Sequence, residues 1–368
     1  MHFIFTSYTS SPEFSCPNAW LKRIDFYTGI LEKLAQTHTV TAIEHINYSG
    51  ELRQNGVRYL FRSLKKKVSR FPFGKHQLMK KMGPDVVFIN GFIFPWQIIQ
   101  LRLQLGKSPR IIILHRAEKP FSGYKRIIQK IADKFVSAYF FSSFEFGQTW
   151  IRKGIVDDEK KIHEILQSSS IFAPTGKKQD KSKAAYAEAY NFLWVGRLDK
   201  NKDPLTVVSA FIEFLELVPL AKLQLIYQDG DLLSEIESKI NATQKSRQSI
   251  KLVGAVPHHE LGEYFNAADF IVSGSHYEGS GISVIEAMSC GCIPVVTNIP
   301  SFRKMTNNGE FGILYEAGNK SSLLDALLKA IRPDLDTQRE AVRLHFEREL
   351  SFDAIAKKTN EVVLQLFR

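Results

Sequence analysis

Two cations and two carboxylates in the second half of the chain are spaced for work on a phosphorylated, hydroxyl-rich ligand. Arg197 leaves an apolar run, NFLWV, through Gly196. Lys202 follows five residues later, just before Asp203-Pro204. Asp as N-cap and Pro at the first helical position open a helix there. An Arg fork and a Lys point charge beside a helix N-terminus suit a diphosphate, although two surface cations on a loop would read the same way. Further on, Glu278 and Glu286 stand eight residues apart around Gly279-Ser280-Gly281. The glycines let the backbone approach a ligand closely, and a helix starting near Ile282 aims its free N–H groups at it. A carboxylate accepts from two vicinal hydroxyls, as the acid of a dinucleotide site does with ribose. Either glutamate alone is explained by the helix dipole, worth about 0.3–1 kcal/mol. The two together, around Gly-Ser-Gly and ahead of EAMSCGCIPVV, favour hydroxyl recognition on either side of a phosphate-binding helix mouth.

The elements that must position these residues alternate between strand and helix. Strand patterns fall at 2–8, 40–44, 57–61, 85–89, 110–115, 137–141 and 161–165, with a helical pattern over 19–35. Residues 174–190 are polar and lysine-rich and read as a linker. A second alternation follows, with strands at 191–195, 223–227, 250–253, 270–273, 293–297 and 312–315. The tail, with helical patterns at 320–331, 337–349 and 352–367, has no strand between them. The expected fold is therefore α/β, two Rossmann-like domains facing across a cleft. Residues 1–173 form the first, acceptor-side domain, 174–190 the linker and 191–350 the second domain, while 351–368 form a helix that crosses back to brace the first. In such sheets ligands bind at the carboxyl ends of strands, where loops enter helices.

Bulk composition narrows the function classes. The 368 residues suffice for two domains, and 44% hydrophobic with 24% charged residues is ordinary for a soluble globular chain. Cys16, Cys290 and Cys292 offer neither a disulfide framework nor a zinc set, which points to a reduced, cytoplasmic setting. The N-terminus lacks the basic start of a secretory leader. The longest apolar stretch, 91–105, is broken by Pro95 and Arg102 and falls short of the ~20 residues of a membrane span. The net charge is +11, and residues 51–81 hold ten Lys/Arg against one acid. Tyr59, Phe61, Phe71 and Phe73 are interleaved with them. That segment is a solvated basic face or a contact with anionic lipid, which would place the protein on the cytoplasmic face of a membrane. Nucleic acid is not expected, since no recognition motif accompanies it.

Taken together, VGRLDKNK and EGSGISVIEAMSCGCIPVVT resemble the donor site of glycosyltransferase family 4, whose members have the GT-B fold. The Glu278-to-Glu286 spacing matches that family's Glu-seven-Glu motif, and Arg197-to-Lys202 matches its phosphate pair. The resemblance implies a retaining transferase moving a sugar from a nucleoside-diphosphate sugar to a glycan or lipid-linked acceptor in cell-surface polysaccharide assembly. Arg197 and Lys202 would hold the diphosphate and stabilise its departure. Glu286 would bind the ribose, Glu278 would face the transferred sugar, Ser280 to Ile282 would meet sugar and phosphate, and the base would lie near Gly254 and Val256. His115, ending RIIILH, would stand near the reacting sugar. No cofactor and no metal are expected, since the donor segment has no Asp-x-Asp and the two cations can supply a metal's charge. The family's glycine pair after the first strand is missing; Thr9 and Ser10 stand there, on the acceptor side. Departures of this kind keep two alternatives open. One is a nucleotide-sugar-binding protein that has lost transfer; the other is an epimerase or phosphorylase of the same architecture.

Overall fold

The computed structural model describes residues 1–63, 70–175, 190–332 and 334–368. Lys65, Lys66, Lys67 and most of the expected linker lie outside the described residues. The chain divides into two units, Met1–Ser169 with Phe352–Arg368, and Ser170–Ser351.

The first unit is built on eight strands. These are β1 (His2–Thr6), β2 (Thr39–Glu44), β3 (Gly50–Gln54), β4 (Val57–Phe61), β5 (Val86–Asn90), β6 (Arg110–Leu114), β7 (Ala138–Phe141) and β8 (Ile162–Glu164). Their order is β3-β4-β2-β1-β5-β6-β7-β8. Every pairing is parallel except the β3–β4 hairpin, which turns at Asn55-Gly56 with φ of 49° and 82°, as a tight hairpin turn requires. The chain starts β1 in mid-sheet and later jumps across it to β5, so the strand order reverses between β1 and β5.

On one side, the helices Phe73–Met82, Pro95–Leu105, Gly123–Asp133 and Phe144–Arg152 pack on this sheet. They contribute Met79, Ile98, Leu101, Ala132 and Trp150 to a single core with Ile4, Val87 and Ile111. The terminal helix Phe352–Gln365 lies on the helix Asp25–Leu34. Lys33 pairs with Asp353 at 2.8 Å, and His38 Nε2 meets Asn360 Oδ1 at 2.8 Å. Gly29 is required at this contact, because a Cβ there would lie 2.6 Å from the Phe352 ring.

The second unit holds β9 (Asn191–Val195), β10 (Lys222–Ile226), β11 (Ile250–Gly254), β12 (Phe270–Ser273), β13 (Ile293–Thr297) and β14 (Ile313–Tyr315). All are parallel, in the order β11-β10-β9-β12-β13-β14. Phe192 of β9 stacks on Phe270 of β12, centroids 4.6 Å apart. The order reverses between these two strands, and the crevice beyond their carboxyl ends is where such sheets take ligands. The loops leaving there are 196–203 and 274–281, the two that the sequence marks for phosphate and hydroxyl chemistry.

Candidate active site

The loop after β9 is braced from within. Asp199 Oδ1 accepts from Lys202 N–H at 2.9 Å, and Asp203 N–H donates to Asp199 O at 3.0 Å. Asp203 sits in the left-handed region, φ 43°, and caps the Pro204–Leu217 helix by accepting from Thr206 N–H at 3.2 Å. This strained cap is the kind of backbone that persists only where its surroundings hold it. The loop after β12 supplies that hold. His276 N–H donates to Asn201 O at 2.8 Å, Asn201 Nδ2 donates to Tyr277 O at 3.1 Å, and His276 Nε2 lies 3.1 Å from Asp203 Oδ2.

The two loops thus zip together, and they close on an ion pair. Lys202 Nζ donates to Glu278 Oε1, both side chains being largely buried. Arg197 is different: its side chain is 72% exposed, tied to Asp199 at 3.4 Å, and free to swing onto a ligand. Gly281 (φ 54°) starts the Ile282–Ser289 helix, and a Cβ there would stand 2.6 Å from the Phe302 ring. Ser283 Oγ donates to Val195 O at 3.3 Å, tying that helix to the end of β9. Gly279, Ser280 and Ile282 lie half-buried along its approach.

Glu286 is buried on the same helix, and its Oε1 lies 2.6 Å from His258 Nε2. His258 belongs to the segment that follows β11, and its ring rests on Phe172 at 5.2 Å. Gly254, with φ 85° and open space where a Cβ would be, ends β11, and Val256 follows half-buried. The histidine therefore links the glutamate to the Gly254–Val256 segment. The structure brings Arg197, Lys202, Glu278, Glu286 and the Gly279–Ile282 turn to one end of the second sheet.

Sequence reasoning passed over two residues here. Gly274 is the first. A Cβ on it would lie 2.8 Å from Asp203 O and 3.0 Å from Lys202 O, so only glycine lets the two loops meet. His258 is the second. Neither lies in a local pattern that marks it, because each acts on residues far along the chain.

His115, Thr9 and Ser10 belong to the first unit. His115 is buried against Phe141, at 4.4 Å, and Trp150, at 5.8 Å. Its Nδ1 accepts from Ala117 N–H at 3.3 Å and its Nε2 donates to Glu118 O at 2.9 Å. Burial lowers its pKa. Its contacts brace the turn containing Ala117, φ 64°.

Beyond the ends of β1, β2 and β5 lies a cavity of about 340 Å³ lined by Thr9, Tyr27, Glu44, Asn90, Ile93 and Arg116, among others. Thr9 shares a 2.7 Å hydrogen bond with Ser7, and Ser10 is exposed beside it. Arg116 donates twice to Asn90 Oδ1, at 2.8 and 3.1 Å, and lies over the Tyr27 ring. Burial raises the pKa of Glu44, which accepts from Trp20 Nε1 at 3.0 Å. Nearby, Lys75 is turned inward to Ser7 O and to His45 Nε2, and burial lowers its pKa to about 7.

Comparison with known proteins adds the class of chemistry. The family described as Glycosyl transferases group 1 matches residues 176–343, the stretch that holds the zipped loops. The chain is a GT-B glycosyltransferase. A GDP-mannose:cellobiosyl-diphosphopolyprenol alpha-mannosyltransferase of Xanthomonas campestris is 23% identical to it over 289 residues, 76% of this chain and 74% of the relative. A UDP-Gal:alpha-D-GlcNAc-diphosphoundecaprenol alpha-1,3-galactosyltransferase of Escherichia coli is 26% identical over 48% of this chain and 47% of its own. Among solved structures, a glycosyltransferase from Rickettsia africae superposes with a TM-score of 0.74 at 17% identity, over 100% of this chain and 99% of that one. Anabaena Alr3699/HepE in complex with UDP gives 0.72 at 15% identity, over 99% and 100%. These superpositions establish the fold of the glycosyltransferase and leave its substrates to the site.

Proposed function

We propose that this glycosyltransferase takes its sugar from a nucleoside-diphosphate donor and passes it, with retention, to a hydroxyl of a glycan or lipid-linked acceptor in cell-surface polysaccharide assembly. The observation that carries the donor reading is the zip between the two loops. It sets Lys202 against Glu278 at the point where the strand order reverses, with Glu286 on the adjoining helix. Lys202 and Glu278 satisfy each other. An arriving diphosphate exchanges with Glu278 for the ammonium, and the freed carboxylate turns to the sugar hydroxyls. Arg197 swings in as the second cation, the Ile282–Ser289 helix offers N–H groups to phosphate, and Glu286 takes the ribose.

As the anomeric C–O bond breaks, negative charge builds on the leaving diphosphate. Arg197 and Lys202 are in place to stabilise it, the term expected to dominate the rate gain. These cations do the work assigned elsewhere to a metal, so the proposed reaction needs none. His115 enters as a positioning residue, through the turn it braces. Names of relatives that act on diphosphopolyprenol-linked sugars support a lipid-linked acceptor, and the proposed setting is cytoplasmic.

A thermal-shift screen of nucleotide-sugars followed by product analysis tests the reading. A matching donor at a hundredfold excess over its Kd adds about 2.7 kcal/mol of stability. Arg197→Ala should weaken donor binding and turnover together; values near wild type for both would overturn the diphosphate assignment. Labelled donor yielding an epimerised nucleotide or a sugar phosphate, rather than a glycosylated acceptor, would overturn transfer.

A further inference from the structure

The Gly123–Asp133 helix of the first unit is turned inside out. Its polar side is the buried one. Gln129 donates from Nε2 to Phe92 O at 2.8 Å and accepts from Phe121 N–H at 2.9 Å. Asp133 accepts from Tyr139 OH at 2.7 Å and from Lys161 Nζ at 2.9 Å. Its apolar side faces outward: Tyr124, Ile127 and Ile131 are 70%, 62% and 44% exposed. Spaced three and then four residues apart, they form one stripe along the helix. A surface helix of an ordinary soluble protein has the opposite arrangement.

Charge surrounds the stripe. Lys119, Lys125, Arg126, Lys130 and Lys134 are all exposed. The sole acid between residues 119 and 134 is Asp133, which is buried and paired with Lys161. The adjoining helix Pro95–Leu105 extends the apolar surface with Trp96 and Leu103, 53% and 76% exposed. Ile93, just before it, is exposed and also lines the cavity beyond β1, β2 and β5.

We propose that this face seats the first unit on an anionic lipid surface. Tyr124, Ile127, Ile131 and Trp96 enter the boundary between headgroups and acyl chains, and Lys125, Arg126, Lys130 and Lys134 meet the headgroup phosphates. An apolar stripe flanked by cations is the pattern of helices that lie in a membrane interface. Charge selects this occupant over a second copy of the chain, since a symmetric pair would bring the same cations face to face. This face is separate from the 51–81 segment that the sequence suggests, of which residues 64–69 lie outside the described residues. There Arg53 and Arg58 pair with Glu51, and Lys75 points inward. Ile93 joins the seated face to the cavity, so an acceptor anchored in the bilayer would meet the cavity wall at the lipid surface. The surface shares no residue with the donor site, so either assignment can fail without the other.

The test is co-sedimentation of the full chain with vesicles of phosphatidylcholine alone or mixed with phosphatidylglycerol. The expected result is a preference of about tenfold or more for the anionic vesicles at low salt, weakened by high salt. Ile127→Ser/Ile131→Ser should lower vesicle binding about tenfold while leaving the melting temperature and the nucleotide-sugar thermal shift unchanged. Lys125→Glu/Lys130→Glu should erase the anionic preference. Wild-type protein that ignores phosphatidylglycerol, or a serine double variant that binds as wild type does, would overturn the proposal. So would light scattering that shows a dimer dissolved by the serine variant, since the stripe would then be a self-association face.

Discussion

Gly274→Ala is the most demanding test of the zipped loops. The added methyl would stand 2.8 Å from Asp203 O, 3.0 Å from Lys202 O and 3.2 Å from Val207 Cγ2. The two nearest atoms are backbone carbonyls, so no rotamer change relieves the clash and the loops must separate by several tenths of an ångström. Lost or stretched in consequence are the His276–Asn201, Asn201–Tyr277 and His276–Asp203 contacts and the alignment of Lys202 with Glu278. Overpacking of this kind costs about 1–3 kcal/mol of stability. At roughly 2–4 °C per kcal/mol for a unit of this size, the melting temperature falls by a few degrees. Misplacing catalytic groups by about 1 Å costs on the order of a hundredfold, so this smaller shift should lower kcat/KM about ten- to a hundredfold, or about 1.4–2.7 kcal/mol. Gly196→Ala is the internal comparison. Its methyl would meet the Trp194 ring at 3.1 Å and Lys202 Cδ at 3.6 Å, side-chain atoms that can move aside, so its effect should be several-fold smaller. The assay is steady-state transfer with the donor found in the screen, alongside thermal melts. Gly274→Ala with wild-type kcat/KM, or Gly196→Ala as damaging as Gly274→Ala, would refute the claim that loop approach at Gly274 sets the site.

Three further outcomes follow from the same geometry. His258→Phe keeps a ring against Phe172 but removes the 2.6 Å contact with Glu286, so the donor KM should rise about five- to thirtyfold, from a loss of about 1–2 kcal/mol; an unchanged KM would separate His258 from donor binding. Burial lowers Lys75 from 10.5 to about 7, so between those values the unfolded chain holds a proton that the folded chain does not, and stability rises with pH across that window. Lys75→Met should flatten that rise in urea titrations between pH 7 and 10, and a slope equal to wild type would contradict the burial argument. Transfer should persist in excess EDTA; activity lost on chelation and restored by manganese would show that Arg197 and Lys202 do not suffice.

What could be read from the sequence was local. Arg197, Lys202, Glu278 and Glu286 sit within short patterns of strand, glycine and helix start, so their shared position follows once two α/β repeats are recognised. Other features depend on partners distant in the chain. Gly274 reads as one more loop glycine until Asp203 and Lys202 are brought against it, 70 or so residues away. The strand β3, GELRQ, carries a single branched apolar residue and lies at the sheet edge, so neither alternation nor hydrophobicity marks it. His115 at a strand end suggests chemistry, yet both ring nitrogens are used inside one turn. The Gly123–Asp133 helix has the right period, but periodicity does not say which side faces the core. Gln129 and Asp133 are buried because Phe92, Phe121, Tyr139 and Lys161 satisfy them, which leaves the isoleucines outside.

The seat of Phe352 against Gly29 also orders events at the ribosome. Domains generally fold as units as they emerge, and the second unit, 170–351, is continuous in sequence and can do so. The first unit is discontinuous and is complete only with residues 352–368, although its strands are made earliest. Until residues 352–368 have emerged, the side of the Asp25–Leu34 helix that receives Phe352 stays uncovered. The nascent chain therefore carries an unfinished first unit through the synthesis of the entire second one.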